Sequence, residues 1–261
     1  SGEVSFLRNP THPMATRIAV FGGTGFVGTH VLKALSARSV PAVALSRSGV
    51  CPQHLQGESW AEGIEWRKGD AVQPGEAREG LEGCSAVVIS IGSPPIPGDK
   101  AYQLQMNGES NANIIAAAKE LGVPRVVLVN ATMPQWTPPG YREGKIMAEQ
   151  AAQRFVEHAE PSGSTGAVVL KPGAIYGTRH ANGVPIPLAP ILAPVSWLLK
   201  ADPGLAPALS KALPSVFDGL LVPPASVECV AAAAVDGATL EKFAGQVTVV
   251  SADELARYPL S

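Results

Sequence analysis

Short apolar, β-branched runs alternate along this chain with longer stretches in which apolar residues recur at helical spacing. Arg17-Ile-Ala-Val-Phe21 has the length and composition of a strand, and a glycine-rich turn then leads into a helical pattern over Val27 to Ala37. Pro41 to Ser46 and Ile64 to Lys68 read as the second and third strands. Ala86-Val-Val-Ile-Ser-Ile91 is apolar almost throughout, as a strand buried on both faces requires. Ala101 to Leu121 is periodic over the length of a long helix and is stopped by Gly122 and Pro124. A strand at Arg125 to Asn130, a helix at Tyr141 to Ala159 and a strand at Ala167 to Lys171 continue the alternation. Strands separated by helices imply βαβ units and predict an α/β fold with a doubly wound parallel sheet.

The pattern breaks after Pro172. Residues 181–227 contain nine prolines and only four charges, Lys200, Asp202, Lys211 and Asp218. A linker would be polar, so this stretch is predicted to be a small, apolar, Pro-rich cap. Regular patterning resumes with an Ala-rich helix from Ser226 to Leu240 and a strand at Val247 to Val250. Ser251-Ala-Asp-Glu254 then fits a capping box opening a last helix. The expected organisation is an extension over 1–16, a nucleotide domain over 17–178, the cap over 179–227, and a return to the first domain over 228–261.

Composition narrows the function classes. Twenty basic against 22 acidic residues leave a formal charge of −2, without the basic excess of a nucleic-acid binder. A hydrophobic content of 46% with little net charge supports a packed core and excludes intrinsic disorder. Cys51, Cys84 and Cys229 are odd in number and lack CxxC spacing, so they read as isolated reduced thiols. The five histidines are scattered, and no metal is assigned. Ser1 to Thr16 lacks the apolar core of a secretory signal and reads as the stub of a removed organellar transit peptide or an artificial leader. The uncharged run Ala181 to Leu199 nearly has the length of a membrane span, but Pro185, Pro187, Pro190 and Pro194 would break the helix. It is expected to be an apolar flap, a partner surface or a membrane-touching segment.

The most informative motif is Val20-Phe-Gly22-Gly23-Thr-Gly25-Phe-Val-Gly28, which leaves the first strand and opens the first helix. Glycines there let backbone approach a pyrophosphate, and the helix start offers unbonded N–H groups and the positive end of its dipole. Gly22-x-x-Gly25-x-x-Gly28 resembles the loop of the extended and atypical short-chain dehydrogenase/reductases, whose domains are NAD(P)-binding Rossmann folds. Gly69-Asp70, Asn107, Lys171-Pro-Gly-Ala-Ile-Tyr-Gly177 and Pro223-Pro224 before Val227-Glu-Cys-Val-Ala231 extend the resemblance over Arg17 to Val250. The chain is most similar to the atypical branch. That branch includes the nucleotide-binding accessory subunit of respiratory complex I and relatives in coenzyme Q synthesis and plastids.

The resemblance implies a dinucleotide site with several parts. Gly22, Gly23, Thr24, Gly25, Phe26, Val27 and Gly28 form the loop, and Ser46, Arg47 and Ser48 follow strand two. Asp70 is expected beside the adenine, although Gly-Asp is also an ordinary turn pair. Ser90, Ile91 and Gly92 follow strand four, Asn107 lies in the long helix, and Lys145, Pro172, Gly173 and Ile175 complete the set. Where an NAD enzyme usually places an acid for the ribose 2′-OH, this chain has Arg47. A guanidinium matches a 2′-phosphate in charge and geometry, so NADP(H) is expected in preference to NAD(H); a solvated loop charge is the plainer reading of Arg47.

Tyr141-Arg-Glu-Gly-Lys145 reproduces the family's YxxxK spacing, which puts both side chains on one helix face. The ammonium is expected to lower the phenol pKa, so that Tyr141 exchanges a proton with a substrate oxygen. Thr132 is the candidate orienting hydroxyl. It precedes Tyr141 by nine residues, less than the family's usual separation, and Pro134, Pro138 and Pro139 stiffen the connection. Lys145 has a second reading as a ribose-binding group alone, and Glu149 is expected to be its i,i+4 partner. Ile186, Leu188, Ile191, Leu192, Trp197, Leu198 and Leu199 would line an apolar substrate pocket, form cap core, or face a partner. Two functions follow. One is an organellar NADP(H)-dependent oxidoreductase for an apolar carbonyl or quinone-like substrate; the other is a non-catalytic, nucleotide-holding subunit of an organellar membrane complex.

Overall fold

The computed structural model describes residues 17–134, 137–157, 163–181, 184–187 and 222–260, with backbone alone at 180–181 and 184–187. A seven-stranded sheet forms its centre. In chain order the strands are β1 (Ile18–Phe21), β2 (Ala42–Ser46), β3 (Glu65–Lys68), β4 (Ala86–Ile89), β5 (Arg125–Val129), β6 (Gly166–Leu170) and, after four minor strands, β11 (Val247–Val250). Their spatial order is β11-β6-β5-β4-β1-β2-β3, and every pairing is parallel. This is the doubly wound Rossmann arrangement expected from the sequence. The order reverses between β1 and β4, where the C-terminal ends of the strands leave a crevice.

Residues of β1, β4, β5 and β6 are buried on both faces, which is why these segments read as unbroken apolar runs. Ile18 and Val20 face one core and Ala19 and Phe21 the other. The first core is closed by α1 (Phe26–Ala37) and the Ala-rich α7 (Val227–Thr239). The second is closed by α3 (Pro74–Leu81), α5 (Ser110–Glu120) and α6 (Pro139–Glu157). The Ser226 hydroxyl caps α7 by accepting from Cys229 N at 3.1 Å. Both halves of the Ser251–Glu254 capping box are present and open α8 (Ala252–Ala256). Arg38 at the end of α1 pairs with Asp236 of α7 at 2.6 Å, locking the two helices together.

The long helix departs from its sequence reading. It begins as α4 (Lys100–Leu104) and passes through one π turn at Gln105–Glu109 before continuing as α5. Single π turns inside helices cluster at functional sites, and this one carries Asn107 at its centre. It also meets α6 at two glycines: a Cβ on Gly144 would stand 2.9 Å from Asn107 Cβ, and one on Gly108 would stand 2.9 Å from Gly144 Cα. This close approach seats the α6 side chains beside the π turn.

Two small sheets include residues of the region predicted as the cap. β7 (Ile175–Tyr176) pairs with β10 (Ala225–Ser226), and β8 (Thr178–Ala181) with β9 (Val184–Pro187). Residues 182–183 and 188–221 of the predicted cap, including Leu188, Ile191, Leu192, Trp197, Leu198 and Leu199, lie outside the described residues, as does the extension over 1–16. Only the backbone of Ile186 is described. No helix among the described residues is long and apolar enough to cross a membrane.

Candidate functional site

The turn from β1 to α1 is shaped by two glycines. Gly22 has φ +81°, a left-handed conformation that side chains resist, and its carbonyl accepts from Gly25 N at 2.8 Å. A Cβ on Gly28 would be driven into that same carbonyl, so the helix can start this close to the loop only with glycine there. Gly25 is the N-cap of α1, no side chain caps it, and no acidic residue lies in the first turn. The first α1 amides therefore face the loop without intrahelical partners, beside the positive end of the dipole.

Beside this loop lies a cleft of about 220 Å³. It is lined by Gly22, Thr24, Gly25, Ser46, Arg47, Asp70, Ser90, Ile91 and Gly92, nine of the sequence-predicted positions, and by Leu45, Gly69, Ala71, Val72, Met106 and Ser110. Arg47 is the one cation and Asp70 the one carboxylate in this lining. Asp70 is also the turn residue it resembled, because its Oδ1 accepts from Val72 N at 3.0 Å. Asn113 of α5 latches the same wall by donating to Ala71 O at 3.1 Å. Such a cleft fits a dinucleotide: backbone donors for phosphate at its centre, a small-residue floor, and a guanidinium at the β2 end.

Other predicted residues fall outside this lining. Gly23 and Gly28 are buried beneath the loop. Phe26 borders a separate hollow of about 20 Å³ with Thr24, Gly25, Thr29, His30, His54 and Thr178. Val27 packs on the core, and the Ser48 hydroxyl stands 3.3 Å from that of Ser46. Pro172 turns its carbonyl to Thr132 N at 2.8 Å, Gly173 lies against Val222, and Ile175 sits in β7.

Gly92 joins the cleft to the α6 residues. A Cβ there would stand 2.7 Å from Asn107 Oδ1 and 3.5 Å from Lys145 Nζ. Lys145 is 5% exposed, and its ammonium donates to Val129 O at 3.2 Å. Burial draws its pKa down to about 8, since the low-dielectric surroundings penalise the charged form. Tyr141 is 8% exposed, with the Lys145 ammonium 5.8 Å from its ring centroid. Its hydroxyl has no hydrogen-bond partner among the described residues.

Three expectations are corrected here. Lys145 does not draw the Tyr141 phenol down: burial pushes it up to about 12, with the ammonium placed over the ring. Thr132 does not present a free proton to a substrate, because its hydroxyl donates to Lys171 O at 2.9 Å. Glu149 does not pair with Lys145. It forms a 2.9 Å ion pair with Lys171 and accepts from Asn130 Nδ2 at 3.1 Å, and Asn130 also donates to Lys145 O at 3.2 Å. Of the residues missed in the sequence, Met106, Ser110 and Ser93 lie on the π turn or beside it, while Ala71 and Val72 follow Asp70. No pattern of spacing marks a π turn in advance.

Comparison with known proteins agrees with this geometry. The model of a family described as NAD(P)H-binding matches residues 22–174. An uncharacterized chloroplastic protein of Arabidopsis thaliana is 33% identical over 247 residues, covering 92% of this chain and 77% of the relative. The bovine sterol-4-alpha-carboxylate 3-dehydrogenase (decarboxylating) is 26% identical over 67% of this chain and 51% of its own length. A 2-alkyl-3-oxoalkanoate reductase of Shewanella oneidensis is 27% identical over 65% and 47%. This chain thus spans about half the length of those two enzymes. Among solved structures, the Bordetella bronchiseptica enzyme WbmH in complex with NAD+ aligns with TM-score 0.60 at 15% identity, covering 90% of this chain and 75% of that one. The Thermus thermophilus UDP-glucose 4-epimerase complex with NAD aligns with TM-score 0.59 at 17% identity over 92% and 81%. The chain belongs to the NAD(P)H-binding family, as an NAD(P)-binding Rossmann domain of the atypical short-chain dehydrogenase/reductase type.

Proposed function

We propose that this protein is an NADP(H)-dependent reductase of an apolar carbonyl or quinone-like substrate. The observation that carries the reading is the buried Tyr141–Lys145 pair, joined to the dinucleotide cleft through Gly92. A bound NADPH would supply a hydride to the carbonyl carbon, so that a ketone, NADPH and one proton give the secondary alcohol and NADP+. The chain's part is to hold the reactants and to furnish the proton. Tyr141, whose phenol burial pushes up to about 12 and which therefore holds its proton at neutral pH, is suited to donate that proton to the substrate oxygen as the hydride arrives. Lys145 keeps two N–H groups free of described partners and is suited to bind a ribose hydroxyl while placing positive charge near the developing alkoxide.

Arg47 supports the choice of NADP(H). It stands exposed at the end of β2, in a lining without a carboxylate from that strand. The two relatives are named for a sterol-4-alpha-carboxylate and a 2-alkyl-3-oxoalkanoate, molecules that join a hydrocarbon body to a carboxylate, and the hydrocarbon part supports a substrate with a large apolar portion. The chloroplastic relative supports an organellar site of action.

The test is titration of purified protein with NADPH and NADH, followed by NADPH oxidation with menadione as an apolar quinone probe. NADPH is expected to bind more tightly, and Arg47→Glu to reduce that preference by about tenfold, roughly one charged hydrogen bond. Tyr141→Phe is expected to lower turnover by about 10²-fold with NADPH affinity unchanged. Absence of NADPH binding, or full turnover by Tyr141→Phe, refutes the reading.

A further inference from the structure

Reduction of a carbonyl builds negative charge on its oxygen, and a site that lowers this barrier aims more than one donor at that atom. Tyr141 is one such donor. Thr132, the expected second, has its proton committed to Lys171 O. The hydroxyl of Ser93 is held in the complementary way.

Ser93 directly follows Gly92 of the cleft and is gripped at both ends by Asn107, which is wholly buried. Ser93 N donates to Asn107 Oδ1 at 3.2 Å, and Asn107 Nδ2 donates to Ser93 Oγ at 2.8 Å. The second amide hydrogen of Asn107 goes to Gln103 O at 2.9 Å. This pattern fixes the amide orientation, because a flipped amide would face donor to donor at Ser93 N and acceptor to acceptor at Gln103 O. Ser93 Oγ is therefore an acceptor toward Asn107, and its own proton points elsewhere. No described residue accepts that proton.

The loop bearing Ser93 is also fixed. Pro94 and Pro95 follow it, which confines the backbone of Ser93 and of the residues after it. Gln103 Nε2 donates to Ile96 O at 2.7 Å, tying the far side of the loop to α4. Asn107 Oδ1 and Lys145 Nζ both border the same Gly92 position, so the Ser93 clamp and the buried ammonium share one end of the cleft. Ile96 on this loop is 62% exposed, an apolar surface beside a polar anchor.

We propose that Ser93 is a catalytic residue of this site, its hydroxyl donating the hydrogen bond that orients the substrate carbonyl oxygen against Tyr141. The assignment rests on the reductase reading above. Asn107 is then a positioning residue, acting through Ser93.

The probe is 2-nonanone, an apolar ketone, added to the wild-type protein loaded with NADP+, so that no hydride is available. Infrared difference spectra of its carbonyl report hydrogen bonding directly. The expected result is a stretch shifted to lower frequency on binding, a shift largely lost in Ser93→Ala and restored in Ser93→Thr. With NADPH, Ser93→Ala is expected to lower kcat/KM for the ketone about 10²-fold, with NADPH affinity within about twofold of wild type. An unchanged stretch in Ser93→Ala overturns the assignment and leaves the reductase reading standing. Loss of the shift in Thr132→Val with Ser93→Ala silent also overturns it, as does a Ser93→Ala defect confined to NADPH affinity. Failure of the wild type to bind the ketone at all removes the apolar-carbonyl reading, and the Ser93 role with it.

Discussion

At the glycine end of the cleft the contacts offered to a ligand come from backbone. Gly22, Gly25 and the first turn of α1 present amides and a dipole. At the α6 end they would come from side chains, Tyr141 and Lys145 on one helix face and Ser93 held by the buried Asn107, brought together from three separate stretches of chain. The two ends also differ in how they bear charge. The glycine end stabilises an anion without carrying a charged group, so it needs no counter-ion to fold. The α6 end buries an ammonium with one carbonyl acceptor and no carboxylate partner among the described residues, an arrangement that costs stability until something negative or hydrogen-bonding arrives. In the proposed reductase, binding is thus built from local geometry, and chemistry from groups held in unfavourable surroundings.

The sharpest way to break this comparison is at Gly28. A side chain there collides with the carbonyl of Gly22, so Gly28→Val is expected to reduce NADPH affinity by at least about 10²-fold, or about 2.7 kcal/mol. Calorimetric titration checks it, with circular dichroism verifying that the sheet still forms. Retained affinity would mean that the loop is not the anion cradle.

Lys145→Met probes the other end. Turnover is expected to fall by about 10²-fold while the melting temperature holds or rises by a few degrees, since an apolar chain of similar length replaces a poorly paired buried cation. The pH dependence has a defined sign. Below about 8 Lys145 is charged in both folded and unfolded chains, and the folded state bears the full cost of burial. Between about 8 and 10.5 the unfolded chain binds more protons, so this group's contribution to stability rises with pH through that window. Wild-type kcat/KM should fall above about pH 8 as the ammonium is lost. Thermal melts and rate profiles from neutral pH to about 10 test both trends, and neither the rise in stability nor the fall in rate should persist in Lys145→Met.

The smallest effect is expected at Glu149→Gln. The amide keeps one acceptor oxygen, for Asn130, and turns its NH2 toward the Lys171 ammonium, so that contact loses both its charge and its acceptor. A loss of about 1 kcal/mol in stability and less than about threefold in rate would place Glu149 in the scaffold. A much larger rate loss at unchanged stability would make it part of the chemistry.

Much of the fold was legible in the sequence because each central strand is buried on both faces and the helices that cover the sheet, α1, α3, α5, α6 and α7, are all longer than its strands. The phosphate loop was legible because its glycines answer to contacts within a few residues: Gly28 is constrained by Gly22. The sequence alone also placed Tyr141 and Lys145 on one helix face and Arg47 at the end of β2. Their neighbours were not legible. The proton of Thr132 turns to Lys171, Glu149 pairs across to the end of β6, and Asn107 enters the site through a π turn. Each of those outcomes depends on how β5, β6, the π turn and α6 pack, and so on residues distant in sequence.

The amino-acid sequence by itself determined the parallel α/β layout, the glycine loop and the class of ligand, because those follow from periodicity and from local backbone sterics. Only the tertiary structure decided which hydroxyl keeps a proton to give, that burial pushes the Tyr141 phenol up where Lys145 was expected to draw it down, and that Lys145 lacks a carboxylate among the described residues. Hydrogen-bond partners and desolvation are properties of the packed neighbourhood, and no spacing along the chain encodes them.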